Sequence, residues 1–121
     1  MRLTHKGDML IAKITVKGPR GEREYDGYLD TGARRTLIPE KDAVELGLPY
    51  AGDTQIITGS GKDIIRVYRA TVTFFKKDFP ILVFGRDLPE QATVKTIVGR
   101  DILDNYEVCF DGKAKEIEIL P

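Results

Sequence analysis

The chain has 121 residues, the size of one ordinary domain built on one core. Its 19 basic and 19 acidic residues cancel, so no overall charge draws it to nucleic acid, an anionic membrane or a polyanionic substrate. The apolar runs are short and interrupted, which excludes a helix of the roughly 20 residues needed to cross a bilayer, and the opening "MRLTHKGDML" lacks a signal-peptide core. The single cysteine, Cys109, rules out an internal disulfide, fits a reducing compartment and is expected to be a small buried apolar side chain. A soluble cytoplasmic protein is the expectation.

In chain order, "MLIAKITVK" alternates, with Leu10, Ala12, Ile14 and Val16 on one face, and "GPRG" at 18–21 turns it into a second strand ending at Leu29. In "LIPEKDAVELGL" a proline precedes early acidic residues and Gly47 supplies a stop, which places a short helix near Glu40 to Leu46. "TQIITGSGKDIIRVYRATVTFF" reads as two β-rich runs joined through Gly59-Ser60-Gly61, a mobile hairpin tip. "FPILVF" and "ATVKTIVG" are further strands. The second leads through Gly99 into a short helical stretch around Asp101 to Asn105. "YEVCFDGKAKEIEIL" closes the chain as a hairpin turning at Asp111-Gly112, with Ile117 and Ile119 on one face, either a core strand or one between subunits. No linker, repeat or low-complexity segment interrupts residues 1–121, which read as one mainly β domain with two short helices at most.

The residue inventory removes several chemistries. A serine or cysteine hydrolase needs a base beside its nucleophile, yet the only histidine is His5, near an end expected to be loose and solvated. Ser60, the only serine, sits between two glycines where a turn needs small residues. One histidine and one cysteine cannot build the usual zinc site, no acidic cluster recurs at a ligand-like spacing, and "GSGKD" is too short for a phosphate loop. No metal or cofactor is expected. No aromatic-basic platform for single-stranded nucleic acid follows from "ARR" or "FFKK" either.

What remains is Asp30 in "YLDTGARRTLIP", followed directly by Thr31 and Gly32. Two carboxyl groups close enough to share one proton cannot both ionise, so one stays an acid while the other acts as a base toward a water between them. Such a pair hydrolyses an amide without a covalent intermediate. The chain holds no second Asp-Thr/Ser-Gly: "FDGK" at 110–113 lacks the hydroxyl residue and "GDT" at 52–54 has the order wrong. A pair therefore needs two chains, and a two-fold axis would set Asp30 beside its own copy.

These residues resemble the retroviral-type aspartic proteases, the retropepsin-like family. "LDTGA" at 29–33 is similar to the family's catalytic loop, "TGSGK", starting 28 residues after Asp30, to its glycine-rich flap tip, and "TIVGRDIL" at 96–103 to its second signature beneath the loop. The resemblance covers roughly residues 10–105. It implies a single-domain acid-protease barrel with one or two short helices, acting as a homodimeric endopeptidase on peptide or protein substrates. Asp30 would carry the catalysis, Thr31 would hydrogen-bond across the dimer axis, and Gly32 would allow close backbone approach. Ala33, Thr58, Gly59, Ser60 and Gly61 would contact an extended peptide, while Ile97, Val98 and Gly99 would support the loop from below. Activity would fall at alkaline pH as the shared proton is lost.

Two features depart from the viral pattern. Viral members carry acidic residues directly after "DTGA", where this chain has Arg34 and Arg35 while keeping Arg100 after Gly99. Asp101 or Asp104 would then be the acids available to pair, and positive charge beside the cleft would favour acidic substrate segments. The C-terminal hairpin is the second departure, more like the cellular members of the family. The rival reading is a non-proteolytic peptide-binding or dimerisation module that retains the fold.

Overall fold

The computed structural model describes residues 2–5, 7 and 9–121. Ten strands and two short helices follow one another as β1 (Arg2–Thr4), β2 (Ile11–Gly18), β3 (Gly21–Leu29), β4 (Leu37–Ile38), α1 (Glu40–Glu45), β5 (Tyr50–Thr58), β6 (Gly61–Phe74), β7 (Lys77–Gly85), β8 (Thr96–Val98), α2 (Arg100–Leu103), β9 (Glu107–Asp111) and β10 (Glu116–Leu120). The main sheet runs β2-β3-β8-β4-β7-β6-β5, and β2 also pairs with β6. That extra pairing, Ile14 opposite Phe74 through Lys17 opposite Thr71, closes six strands into a barrel and leaves β5 hanging outside it.

Strict alternation explains β2. Ala12, Ile14 and Val16 are buried, the intervening Lys13, Thr15 and Lys17 face outward, and β-branched residues suit the pleated surface. Phe74, Val72, Val83, Ile38 and Val98 meet them inside, fully buried, each contributing about 1.5–3 kcal/mol relative to an exposed position. On the outer face Lys13 bridges Glu24 and Asp26 at 3.3 Å, a surface pairing of little energetic consequence.

The β5–β6 hairpin is long: β6 first pairs with β5, from Gly61 to Tyr68, then with β7, from Arg66 to Phe74. Its base is tied to α1, because the Tyr68 hydroxyl donates to Glu40 Oε2 at 3.1 Å. Burial, then the Glu40 carboxylate, push that phenol's pKa up, so it stays a neutral donor.

Three sequence expectations are corrected here. The N-terminal end is a strand: β1 pairs antiparallel with β10, Leu3 opposite Ile117, and His5 N–H donates to the Lys115 carbonyl. The His5 ring stacks on Phe110 at 5.6 Å between centroids, with Nε2 buried and without a hydrogen-bond partner among the described residues. Cys109 is exposed, because on β9 it stands opposite Glu118, whose carboxylate takes a hydrogen bond from Arg2 Nε on the solvent side of the sheet. The strand expected over "ATVKTIVG" forms only at 96–98, and residues 86–95 are irregular. Ile117 and Ile119, left open between two roles, are core residues, 4% and 0% exposed.

Candidate active site

Asp30 leaves β3 at the point where the strand has to stop. Leu29 N–H donates to the Leu10 carbonyl at 2.8 Å, and Asp30 N–H donates to the Val98 carbonyl at 3.0 Å, so the aspartate's backbone is the last link of the β3–β8 pairing. The chain then turns tightly, Ala33 N–H donating to the Asp30 carbonyl at 3.2 Å. Gly32 N–H donates to Asp30 Oδ1 at 2.8 Å, which fixes the carboxylate against its own loop. Asp30 itself is half-buried and Thr31 and Gly32 are exposed.

Beneath the loop lies a polar clamp. Gly99 N–H donates to Thr36 Oγ1 at 3.2 Å, Thr36 Oγ1–H donates to Asp101 Oδ1 at 2.8 Å, and Thr36 N–H donates to Asp101 Oδ2 at 2.9 Å. Thr36 is 0% exposed, and its hydroxyl is satisfied as donor and as acceptor, as a buried polar group must be. Arg100 N–H closes the clamp onto the loop by donating to the Ala33 carbonyl at 2.8 Å. A Cβ on Gly99 would stand 2.6 Å from the Arg35 carbonyl carbon and 2.9 Å from the Ala33 carbonyl oxygen, so only glycine lets the two segments approach this closely.

The four loop residues singled out from the sequence, Asp30 through Ala33, therefore stand together. Thr58 through Gly61 form the hairpin tip, held by its own contacts: Thr58 Oγ1–H donates to the Gly61 carbonyl at 3.0 Å, which leaves Ser60 Oγ–H to donate to Thr58 Oγ1 at 3.1 Å. Among the described residues no hydrogen bond joins tip and loop within the chain. Thr36 is a site residue that sequence reasoning missed, a lone threonine carrying no motif. Neither Asp101 nor Asp104, the acids expected to pair with an arginine, forms an ion pair among the described residues, and both Asp101 oxygens accept hydrogen bonds from Thr36. The signal that could have located it is an aspartate in the first turn of a short helix, where backbone N–H groups need an acceptor; Asp101 Oδ1 also accepts Ile102 N–H at 3.0 Å.

A cavity of about 350 Å³ opens beside Asp30 and Thr31, its other walls formed by Leu10, Tyr28, Leu103, Val108, Phe110 and Ile117. A larger one, about 570 Å³, lies at Lys17, Pro19, Pro49 and Arg69 and is lined by no carboxylate. Cavities of about 490 Å³ at Glu40, Asp53 and Asp87 and of about 370 Å³ at Glu24 and Asp26 also carry acids, so it is the Asp-Thr-Gly loop in its wall that marks the first as the candidate site. Among the described residues no three metal-ligating side chains come together, and no helix is long and apolar enough to cross a membrane.

A closed six-stranded barrel whose Asp-Thr-Gly loop rests on an Ile-Val-Gly strand end has the architecture of the retropepsin-like proteases. The chain belongs to the aspartyl protease family, whose model matches residues 12–97. It is 25% identical over 117 residues to DNA damage-inducible protein 1 of Yarrowia lipolytica, covering 93% of this chain and 28% of that protein. The chain thus spans little more than a quarter of the curated relative it matches. Among solved structures, EIAV protease complexed with the inhibitor HBY-793 superposes with a TM-score of 0.66 at 19% identity, covering 85% of this chain and 93% of that one. A retropepsin-like aspartic protease from Rickettsia conorii gives a TM-score of 0.63 at 19% identity, over 99% of this chain and 97% of that one. At such identity these likenesses establish the fold.

Proposed function

We propose that the chain is an aspartic endopeptidase that works as a homodimer and hydrolyses peptide bonds in extended segments. One observation carries the reading: Asp30 is held by its own backbone and by Gly32 N–H at an exposed loop, on a barrel of the protease fold, with no second such aspartate in the chain. A single carboxylate of this kind becomes a catalyst only beside another. A two-fold axis passing the loop would supply it, and Thr31, exposed next to Asp30, would bond across that axis.

In the dimer one Asp30 is ionised and takes a proton from a water held between the two, while its protonated partner donates to the carbonyl oxygen of the scissile amide. The roles reverse as the amine leaves, and no metal or cofactor takes part in these steps. Ala33 beside Asp30 and Thr58 to Gly61 at the hairpin tip would offer backbone groups to which an extended peptide can add as a strand. Activity falls at alkaline pH because the shared proton is then lost.

The test is a peptide-library digest at several pH values read by mass spectrometry, with native mass measured in parallel. Asp30→Asn should lower cleavage by about 10²- to 10⁴-fold while leaving the protein folded. Undiminished cleavage by that variant, or a strictly monomeric wild-type protein that cleaves, would overturn the assignment. Peptide binding without cleavage by the wild-type chain would instead establish the rival module.

A further inference from the structure

We infer that the Asp30 site selects peptide segments carrying acidic side chains on both sides of the scissile bond, through Arg34, Arg35 and Arg100; this rests on the hydrolase reading above. The three arginines are tied to the Asp30 loop by backbone contacts. Arg34 and Arg35 follow Ala33 directly, Arg100 N–H is bonded to the Ala33 carbonyl at 2.8 Å, and the Arg35 carbonyl carbon lies within 2.6 Å of where a Gly99 Cβ would be. The backbone that carries all three thus comes together close to the candidate catalytic carboxylate. Arg34 and Arg100 are exposed and Arg35 is half-buried.

Of the two acids that follow Arg100, Asp104 is exposed and forms no ion pair among the described residues, and the other is engaged. Asp101 is committed to Thr36 through both oxygens, and among the described residues no carboxylate forms an ion pair with any of the three. Arg2, Arg23, Arg66 and Arg86, by contrast, all have acidic partners. Arg20 and Arg69 have none either, but they belong to the β2–β3 turn and the middle of β6. The chain is neutral overall, so this is a local field and not a general affinity for anions.

Three like charges held close together raise one another's energy, and a carboxylate brought among them relieves it. Extended peptide advances about 3.3 Å per residue, so side chains two or three residues from the scissile bond sit roughly 7–10 Å from it. Arg34 and Arg35 follow Asp30 by four and five residues, so the chain itself keeps their Cα atoms within about 18 Å of it, less around the tight turn. A two-fold dimer presents each arginine twice, once on either side of the bond, which makes the preference symmetric.

The test uses decapeptides with one neutral cleavable centre flanked on both sides by Glu, Gln or Lys, digested by the full chain at low and high salt. Glu-flanked peptides should exceed Gln-flanked ones in kcat/KM by about fivefold per acidic contact, with the advantage shrinking in high salt. The double variant Arg34→Glu/Arg35→Glu should invert the order in favour of Lys, and Arg34→Gln/Arg35→Gln should level it. Equal cleavage of Glu and Gln peptides, or a Glu preference that survives charge reversal, overturns the inference while leaving the hydrolase reading intact. If the wild-type chain cleaves none of them, the hydrolase reading fails by itself, and fluorescence anisotropy with the same peptides still decides: Glu-dependent binding lost on charge reversal supports the arginines' role, and its absence overturns it. Tighter binding of a labelled single-stranded oligonucleotide than of the Glu peptide would also overturn it.

Discussion

The floor beneath Asp30 and the hairpin of β5 and β6 both depend on glycine, for opposite reasons. At Gly99 a side chain has no room, since backbone atoms from Ala33 and Arg35 already occupy the place of a Cβ. At Gly61 there is nothing within 4 Å, but φ is +117°, a conformation that other residues resist. The floor is packed and its hydrogen bonds are complete, from Gly99 N–H through Thr36 to Asp101. The hairpin is nearly bare: Ile57 is 85% exposed, Ile64 is 64% exposed, and the tip bonds only to itself. A segment with few buried contacts opens locally at low free energy, whereas the clamp opens only with the barrel. The contrast separates a rigid support beneath Asp30 from an arm that can open, the division of labour that the proposed chemistry would require.

The sharpest way to break this contrast is to put a methyl group into the floor. Gly99→Ala forces the Arg35 and Ala33 backbone away from the loop and should cost about 3 kcal/mol in urea unfolding, with cleavage lost alongside. A loss below about 1 kcal/mol would mean that the floor yields, and rigidity could no longer be its role. Thr36→Val is next in size. It keeps the shape but removes the hydroxyl, leaving Gly99 N–H unpaired and Asp101 Oδ1 without its Thr36 donor in a part-buried site, at about 2 kcal/mol. A double-mutant cycle with Asp101→Asn should give a coupling of about 1 kcal/mol, and additivity would show that the two act separately.

Much of this architecture is visible in the sequence because it is local. The alternation over Leu10 to Val16, the glycine turns at 18–21 and 59–61 and the Asp-Thr-Gly run each carry their signal within a few residues. What stays hidden depends on partners far along the chain. β1 exists because residues 2–4 pair with residues 116–118, and a three-residue run has no periodicity that announces such a partner. Cys109 faces solvent because the register puts it opposite Glu118; one step of slippage would turn it inward. Thr36 and Asp101, 65 positions apart, form the clamp only once the barrel has closed. In the candidate site, then, the residue type that suggests the chemistry was legible, and the residues that hold it in place were not.

The smallest expected effect tests the hairpin half of the contrast. Gly61→Ala must place a side chain at φ +117° and should cost about 1 kcal/mol or more, although no neighbour is touched. Two residues earlier, Gly59 also has open space within 4 Å but no positive φ, so Gly59→Ala meets neither strain nor collision. Its folded state is unchanged while the unfolded chain loses freedom, and stability should stay within about 0.5 kcal/mol of the parent or rise slightly. Thermal and urea unfolding of the two variants side by side give the comparison directly. A Gly59→Ala protein destabilised as much as Gly61→Ala would mean that the tip is packed against something that constrains it, and the arm would then be as fixed as the floor.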